Sequence, residues 1–129
     1  MSKTSAGHAD DGRDGADMDD ELQSLATEMN RGFLQVLALV VLESRMYGYA
    51  MIRHLEEAGY RIEENTLYPL LRRLEKNGWI AGEWDVGEGR PKKFYVITEQ
   101  GRKVRGQALR LMKDQAGTLA RLMEVDNDV

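Results

Sequence analysis

Asn65-Thr66-Leu67-Tyr68-Pro69-Leu70-Leu71-Arg72-Arg73-Leu74 is the stretch on which the reading of this chain turns. Leu67, Leu70, Leu71 and Leu74 fall at i, i+3, i+4 and i+7, so a helix places them on one stripe that must be buried. Thr66, Tyr68, Arg72, Arg73 and Lys76 fall elsewhere and look outward. A helix with leucine on one side and hydroxyls and guanidinium groups on the other suits the major groove of DNA. Arginine pairs there with phosphate or guanine edges, and hydroxyls add short hydrogen bonds. Ordinary surface helices share this pattern, so the flanking segments carry the argument. The helix is expected over about residues 64 to 77, capped by Asn65 or Thr66, with Pro69 near its first turns and Gly78 ending it.

Upstream, Gly48 breaks the chain and Tyr49 to Glu57 reads as a short helix with Tyr49, Ile52 and Leu55 inward. Gly59 suits the left-handed position that stops it. Met29 to Glu43 is apolar nearly all round, which marks a central helix. Leu22, Leu25 and Met29 keep helical spacing, so its start is expected near Asp19 or Asp20, where acidic side chains favour a helix N-terminus. Residues 1–17 hold almost no large apolar side chain and read as a disordered acidic leader.

Downstream, residues 79–86 and 92–97 are rich in aromatic and β-branched residues and flank Gly87-Glu88-Gly89-Arg90-Pro91. This predicts a β-hairpin with a loop longer than the tightest turns. Thr98 caps a last helix running to about Met123. Ala108, Met112, Ala116, Leu119 and Met123 give that helix an apolar stripe that one small domain cannot cover. Together with Leu22 and Leu25 they are the expected dimerisation residues.

Charge is unevenly spread. Residues 1–28 carry two basic and eight acidic side chains, whereas the other 101 residues carry sixteen basic and fourteen acidic ones. The overall charge of −4 therefore hides a mildly basic body. With no cysteine there are no disulfides, thiolate metal sites or thiol nucleophiles, which fits a reducing cytoplasm. The N-terminus carries no secretory apolar run, and the most apolar stretch, Phe33 to Leu42, is too short to span a bilayer. His54 with Glu57 three residues on has no further ligands and reads as a solvated contact. Zinc spacing, a phosphate-binding glycine loop and a nucleophile elbow are all lacking, so no cofactor, metal or enzymatic activity is expected.

Helix, helix, turn, helix, hairpin, helix is the order of a winged helix-turn-helix. The fold is expected to be mainly α with a small β-hairpin and a C-terminal dimerisation helix. Its divisions are the leader (1–17), the DNA-binding domain (18–98) and the dimerisation helix and tail (99–129). In this geometry the third helix enters the major groove and the hairpin tip, with Arg90, Lys92 and Lys93, reaches phosphates or an adjacent groove.

Five segments then narrow the reading. Arg31-Gly32-Phe33-Leu34, Tyr47-Gly48-Tyr49, Asn65 to Glu75, Gly89-Arg90-Pro91-Lys92-Lys93-Phe94-Tyr95 and Ile97-Thr98-Glu99-Gln100-Gly101-Arg102 resemble the PadR family of bacterial and archaeal transcription regulators, over about residues 29 to 103. The resemblance implies a homodimeric repressor on double-stranded DNA, with the C-terminal helix swapped onto the partner subunit and relief by a small aromatic effector. It also implies that Tyr49, Thr66, Tyr68 and the Arg90 tip face DNA. The single helix after the hairpin resembles the family's short-tailed branch. Some members of that branch hold flat drugs between tryptophans of the last helix, yet residues 98–129 contain no aromatic side chain. Trp79 is expected to be core beneath the hairpin.

The expected DNA-facing set is therefore Tyr49, Asn65, Thr66, Tyr68, Pro69, Arg72, Arg73, Lys76, Arg90, Lys92 and Lys93. Tyr68, Arg72 and Arg73 are expected to contribute little to folding. The competing expectation is a winged-helix module that binds protein without DNA. Its docking face would show exposed aliphatic residues where this chain shows Thr, Tyr and Arg.

Overall fold

The leucine stripe is buried as its spacing requires: Leu67, Leu71 and Leu74 are fully enclosed and Leu70 is nearly so. The structure is a computed structural model that describes residues 12–128, with side chains from 18 to 124. Its elements are α1 (Gly12–Val41), β1 (Met46–Tyr47), α2 (Gly48–Glu57), α3 (Glu64–Lys76), β2 (Ile80–Asp85), β3 (Lys92–Ile97) and α4 (Glu99–Asp128). Two compact units divide the chain after Leu34.

In the first unit the N-terminal part of α1 carries Met18, Leu22, Leu25 and Met29 exposed on one helical stripe. The helix begins at Gly12, earlier than the start expected near Asp19 or Asp20. Once nucleated, each added residue brings one further backbone hydrogen bond, so a helix extends past the point where its apolar pattern fades. The expected leader thus overlaps α1 from Gly12, and its remainder lies outside the described residues.

The second unit holds the core. Ala38, Leu39 and Leu42 from the end of α1 and beyond, Met51 and Leu55 from α2, Ile62, the α3 leucines, and Ile80, Tyr95 and Ile97 from the sheet are all buried. Truncating any of the enclosed leucines to alanine costs about 2–5 kcal/mol, by lost transfer energy and the cavity left behind. Ile97 N–H donates to Leu42 C=O at 2.8 Å, which ties the last strand to the chain leaving α1.

Both short helices end in the same device. Tyr60 N–H donates to Leu55 C=O at 2.8 Å and Gly59 N–H to Glu56 C=O at 2.9 Å. At the end of α3, Trp79 N–H reaches Leu74 C=O and Gly78 N–H reaches Glu75 C=O, each at 3.0 Å. These are Schellman motifs, and Gly59 and Gly78 occupy their left-handed position at φ 92° and 81°. The N-cap of α3 is Glu63, with no side-chain cap bond, in place of the expected Asn65 or Thr66. The helix therefore begins before them and Pro69 falls inside it.

The sheet has three strands in the order β1-β3-β2, all antiparallel, where the sequence predicted only a hairpin. Ile80 pairs with Ile97 and Asp85 with Lys92, as a hairpin requires. Met46 and Tyr47 add an edge strand opposite Tyr95 and Phe94. A strand of two residues carries no periodicity of its own and exists only because β3 offers a free edge.

Thr98 caps α4 as expected: Gly101 N–H donates to its Oγ1 at 3.0 Å, and the same hydroxyl donates to Gly78 C=O at 2.7 Å. One side chain thus joins the end of α3 to the start of α4. Glu43 holds the first turns of α4 as well, accepting from Arg102 Nη2 at 3.1 Å and Arg105 Nη1 at 2.8 Å. Those hydrogen bonds hold its carboxyl below the usual range, and they raise Arg102 in turn. Beyond them Leu109, Leu111, Leu119, Leu122 and Met123 of α4 are exposed. No described helix is long and apolar enough to cross a membrane.

Candidate nucleic-acid interface

Burying four leucines leaves the rest of α3 facing outward. Asn65, Thr66, Pro69, Arg72, Arg73 and Lys76 are all exposed, as their positions off the stripe require. Arg73 and Lys76 lie in the last turn, where the helix dipole favours positive charge. Asn65, Tyr68, Pro69 and Arg72 share a broad, open concavity of about 710 Å³ with Glu63 and Glu64. The two glutamates are neighbours in sequence and both are exposed. They sit at the N-terminal end of the helix, where a carboxylate can accept from a cytosine amino group.

Tyr68 departs from the outward reading. It is half-buried, and a Cβ on Gly48 would come within 2.7 Å of its ring and hydroxyl. Gly48 is therefore more than a helix breaker: it leaves the space in which the Tyr68 ring lies against the start of α2. Burial raises the Tyr68 hydroxyl above its ordinary pKa, and the charge of Glu64 adds to the effect. Tyr68 thus contributes to folding, while its partial exposure keeps an edge at the surface.

On α2 the buried face is Gly48, Met51 and Leu55, which turns Tyr49 outward to 60% exposure. The expected inward position of Tyr49 was a phase error of one residue or so, and Ile52 is only half-buried. The outward Tyr49 agrees with the place implied by the resemblance.

The hairpin separates its three cations. Arg90 is exposed near Gly89, whose φ of 88° shapes the tip. Lys92 lies on the β1 side, its ammonium 5.1 Å from the Tyr47 ring, and that ring stacks on Phe94 at 4.0 Å. Arg45 covers the other end of this stack, 4.0 Å from the Phe94 ring, and pairs with Glu83 at 3.0 Å. Lys93 points to the opposite face and pairs with Glu75 of α3 at 3.0 Å. Its ammonium also lies 5.7 Å from the Trp84 ring and 5.4 Å from the Tyr95 ring. Gly82 makes room for this crossing, since a Cβ there would collide with the Lys93 chain. Lys93 is thus a strut between hairpin and helix rather than a free tip charge. Trp84 is 63% exposed, and Trp79 is half-buried rather than fully core.

Tyr49 of α2, the outer face of α3 and the basic hairpin all belong to one unit. The expected dimerisation residues are carried by other elements, α1 and α4. Among them Leu22, Leu25, Ala116, Leu119 and Met123 are exposed, and Ala108 and Met112 are half-covered. The sequence reading passed over Leu111 and Leu122, which helical geometry puts on the same side as Ala108 and Leu119. Among the described residues no cluster of histidine and acidic side chains could hold a metal ion.

The profile of the family described as "Transcriptional regulator PadR-like family" matches residues 36–107. A transcriptional regulator of Mycobacterium tuberculosis is 32% identical over 74 residues, spanning 57% of this chain and 69% of that protein. Among solved structures, a PadR family transcriptional regulator from Eggerthella lenta is similar with a TM-score of 0.77 and 38% identity, covering 84% of this chain and 97% of that one. A transcriptional regulator from Clostridium thermocellum is similar with a TM-score of 0.69 and 28% identity, over 73% of this chain and 96% of the other.

Proposed function

We propose that this chain, which belongs to the PadR-like family of transcriptional regulators, acts as a homodimeric repressor that reads DNA with α3 and anchors on the backbone with its hairpin wing. The family consists of transcription regulators rather than enzymes. The observation that carries the proposal is the outer face of α3. Asn65, Thr66, Pro69, Arg72, Arg73 and Lys76 are exposed together, with the Pro69 ring as the one apolar side chain among these six, a surface suited to base edges and phosphates. That composition also weighs against a module that docks only on protein.

Arg72→Ala and Arg73→Ala should each leave thermal stability nearly unchanged, because both side chains are exposed. A base-reading arginine should lose about 1–3 kcal/mol of discrimination at one operator position, and a phosphate-binding one should weaken all sequences alike. Selection of bound sequences from a random DNA pool supplies the operator, and titration of both variants on it supplies the comparison. Wild-type binding by both variants would remove α3 from the DNA contact.

The wing is proposed to add electrostatic contacts through Arg90 and Lys92. Each charge removed should flatten the dependence of log K on log salt by about one unit. Lys93→Ala should behave differently, because its charge is already paired with Glu75. Its salt slope should stay near wild type while the wing loosens, visible as faster amide exchange in β2. A full unit of slope lost on Lys93→Ala would mean that DNA displaces Glu75. Relief by a small effector remains part of the proposal, with the exposed Tyr49 and Trp84 as the aromatic surfaces open to it.

A further inference from the structure

We infer that the groove between α2 and the wing holds a phosphate of the DNA backbone, with Arg53 as the residue that neutralises it. The inference rests on the DNA-binding reading above and extends it to a residue that neither the leucine-striped helix nor the wing tip includes.

Some cations of the second unit are already paired within the fold, while others, Arg72, Arg73, Lys76 and Arg90 among them, form no ion pair among the described residues. Arg45, Lys93, Arg102 and Arg105 each meet a carboxylate at 2.8–3.1 Å and have little charge left to offer. Arg53 and Lys92 form no ion pair among the described residues, although both line a single open groove of about 470 Å³. Glu57, one turn beyond Arg53 on the same helix, also lines the groove yet does not pair with it. Tyr47, Tyr49 and His54 complete the wall. Two unneutralised cations, two phenols and an imidazole around an open groove form a donor-rich surface for a single-charged oxyanion that arrives from solvent. Arginine and tyrosine are also common phosphate contacts in protein–DNA interfaces.

Position identifies which oxyanion. At one end Tyr49 follows Gly48, against which Tyr68 of α3 packs. At the other end Lys92 pairs with Asp85 in register at the root of the wing hairpin. Tyr49 and Lys92 of the groove's lining both belong to the set proposed to face DNA, and Arg53 lies on the same wall. A strand that meets Tyr49 and Lys92 passes Arg53 as well. The contact is one of position and charge and reads no base.

The test is a salt titration of full-length wild type, Arg53→Ala and Arg53→Lys on the selected operator and on an unrelated duplex. Arg53 is exposed on the surface of α2, so neither substitution disturbs the core. Arg53→Ala should lower the slope of log K against log salt by about 0.9, equally on both duplexes, and Arg53→Lys should restore it. Replacing the operator phosphates one at a time by neutral methylphosphonates should reveal one position at which wild type weakens and Arg53→Ala does not. An unchanged slope for Arg53→Ala, with wild-type binding intact, would overturn the assignment and leave the α3 reading standing. A loss confined to the operator, or one that lysine fails to restore, would overturn it as well, because it would mean a base or shape contact. Wild-type protein that binds neither duplex would overturn both readings.

Discussion

Replacing Leu119 and Leu122 together by glutamate is expected to release monomers and to weaken operator binding by two orders of magnitude or more. Both side chains are exposed on the single chain, at 59% and 61%, so the substitution removes nothing from the core of the protomer. In the homodimer proposed above a second copy would cover this face, on a helix of 30 residues in which Leu111, Leu119, Leu122 and Met123 are all exposed. Four carboxylates brought together across a two-fold contact would repel one another and lose the burial of four leucines. Operator affinity falls with dissociation because two linked half-site contacts bind about 10²–10⁴ times more tightly than one. Sedimentation velocity gives the mass, far-ultraviolet circular dichroism shows that the helices persist, and a mobility shift measures the operator. An unchanged dimer would move the interface to the exposed stripe of α1 at Met18, Leu22, Leu25 and Met29.

Gly101→Ala should destabilise the fold by about 2–3 kcal/mol, a sign opposite to that of helix propensity. Within a helix, alanine is ordinarily better than glycine by about 1 kcal/mol. Here a Cβ would collide with the Trp79 carbonyl oxygen and lie 2.8 Å from Ile97 Cγ1. The obstacle is backbone, which cannot swing aside as a side chain can. That carbonyl also accepts from Thr98 N–H at 3.0 Å, so moving it breaks the junction at which α3, the sheet and α4 meet. A fall in melting temperature of roughly 8–12 °C is expected at fixed protein concentration. Gly106→Ala is the matched control on the same helix, since its Cβ meets nothing closer than the flexible Arg110 guanidinium at 4.0 Å. It should hold or raise stability. Equal stability of the two variants would mean that the Trp79–Gly101 approach is not close in solution.

The folded chain obeys its sequence wherever the deciding interaction is local. The four-leucine spacing of α3, the left-handed glycines at 59 and 78, the Thr98 cap and the strand alternation around the wing loop are each set within two helical turns or one strand pair. Such features depend on backbone geometry and on the side chains a few residues away, so reading along the chain reveals them. Family resemblance reached further, and it placed Tyr49 outward where helical phase had turned it in.

Tertiary structure alone decided what depends on distant partners. Tyr68 lies off the leucine stripe, yet it is half-buried because Gly48 leaves a space against it. Lys92 and Lys93 are adjacent and identical in type, but the pleat sends them to opposite faces, one toward Tyr47 and the other to Glu75. The edge strand β1 exists only by pairing with β3, and the groove at Arg53 is assembled from α2, β1 and β3. No period or spacing encodes these outcomes. They follow from which surfaces meet once the core has closed, and with them comes the division between cations paired within the fold and cations left unpaired at the surface.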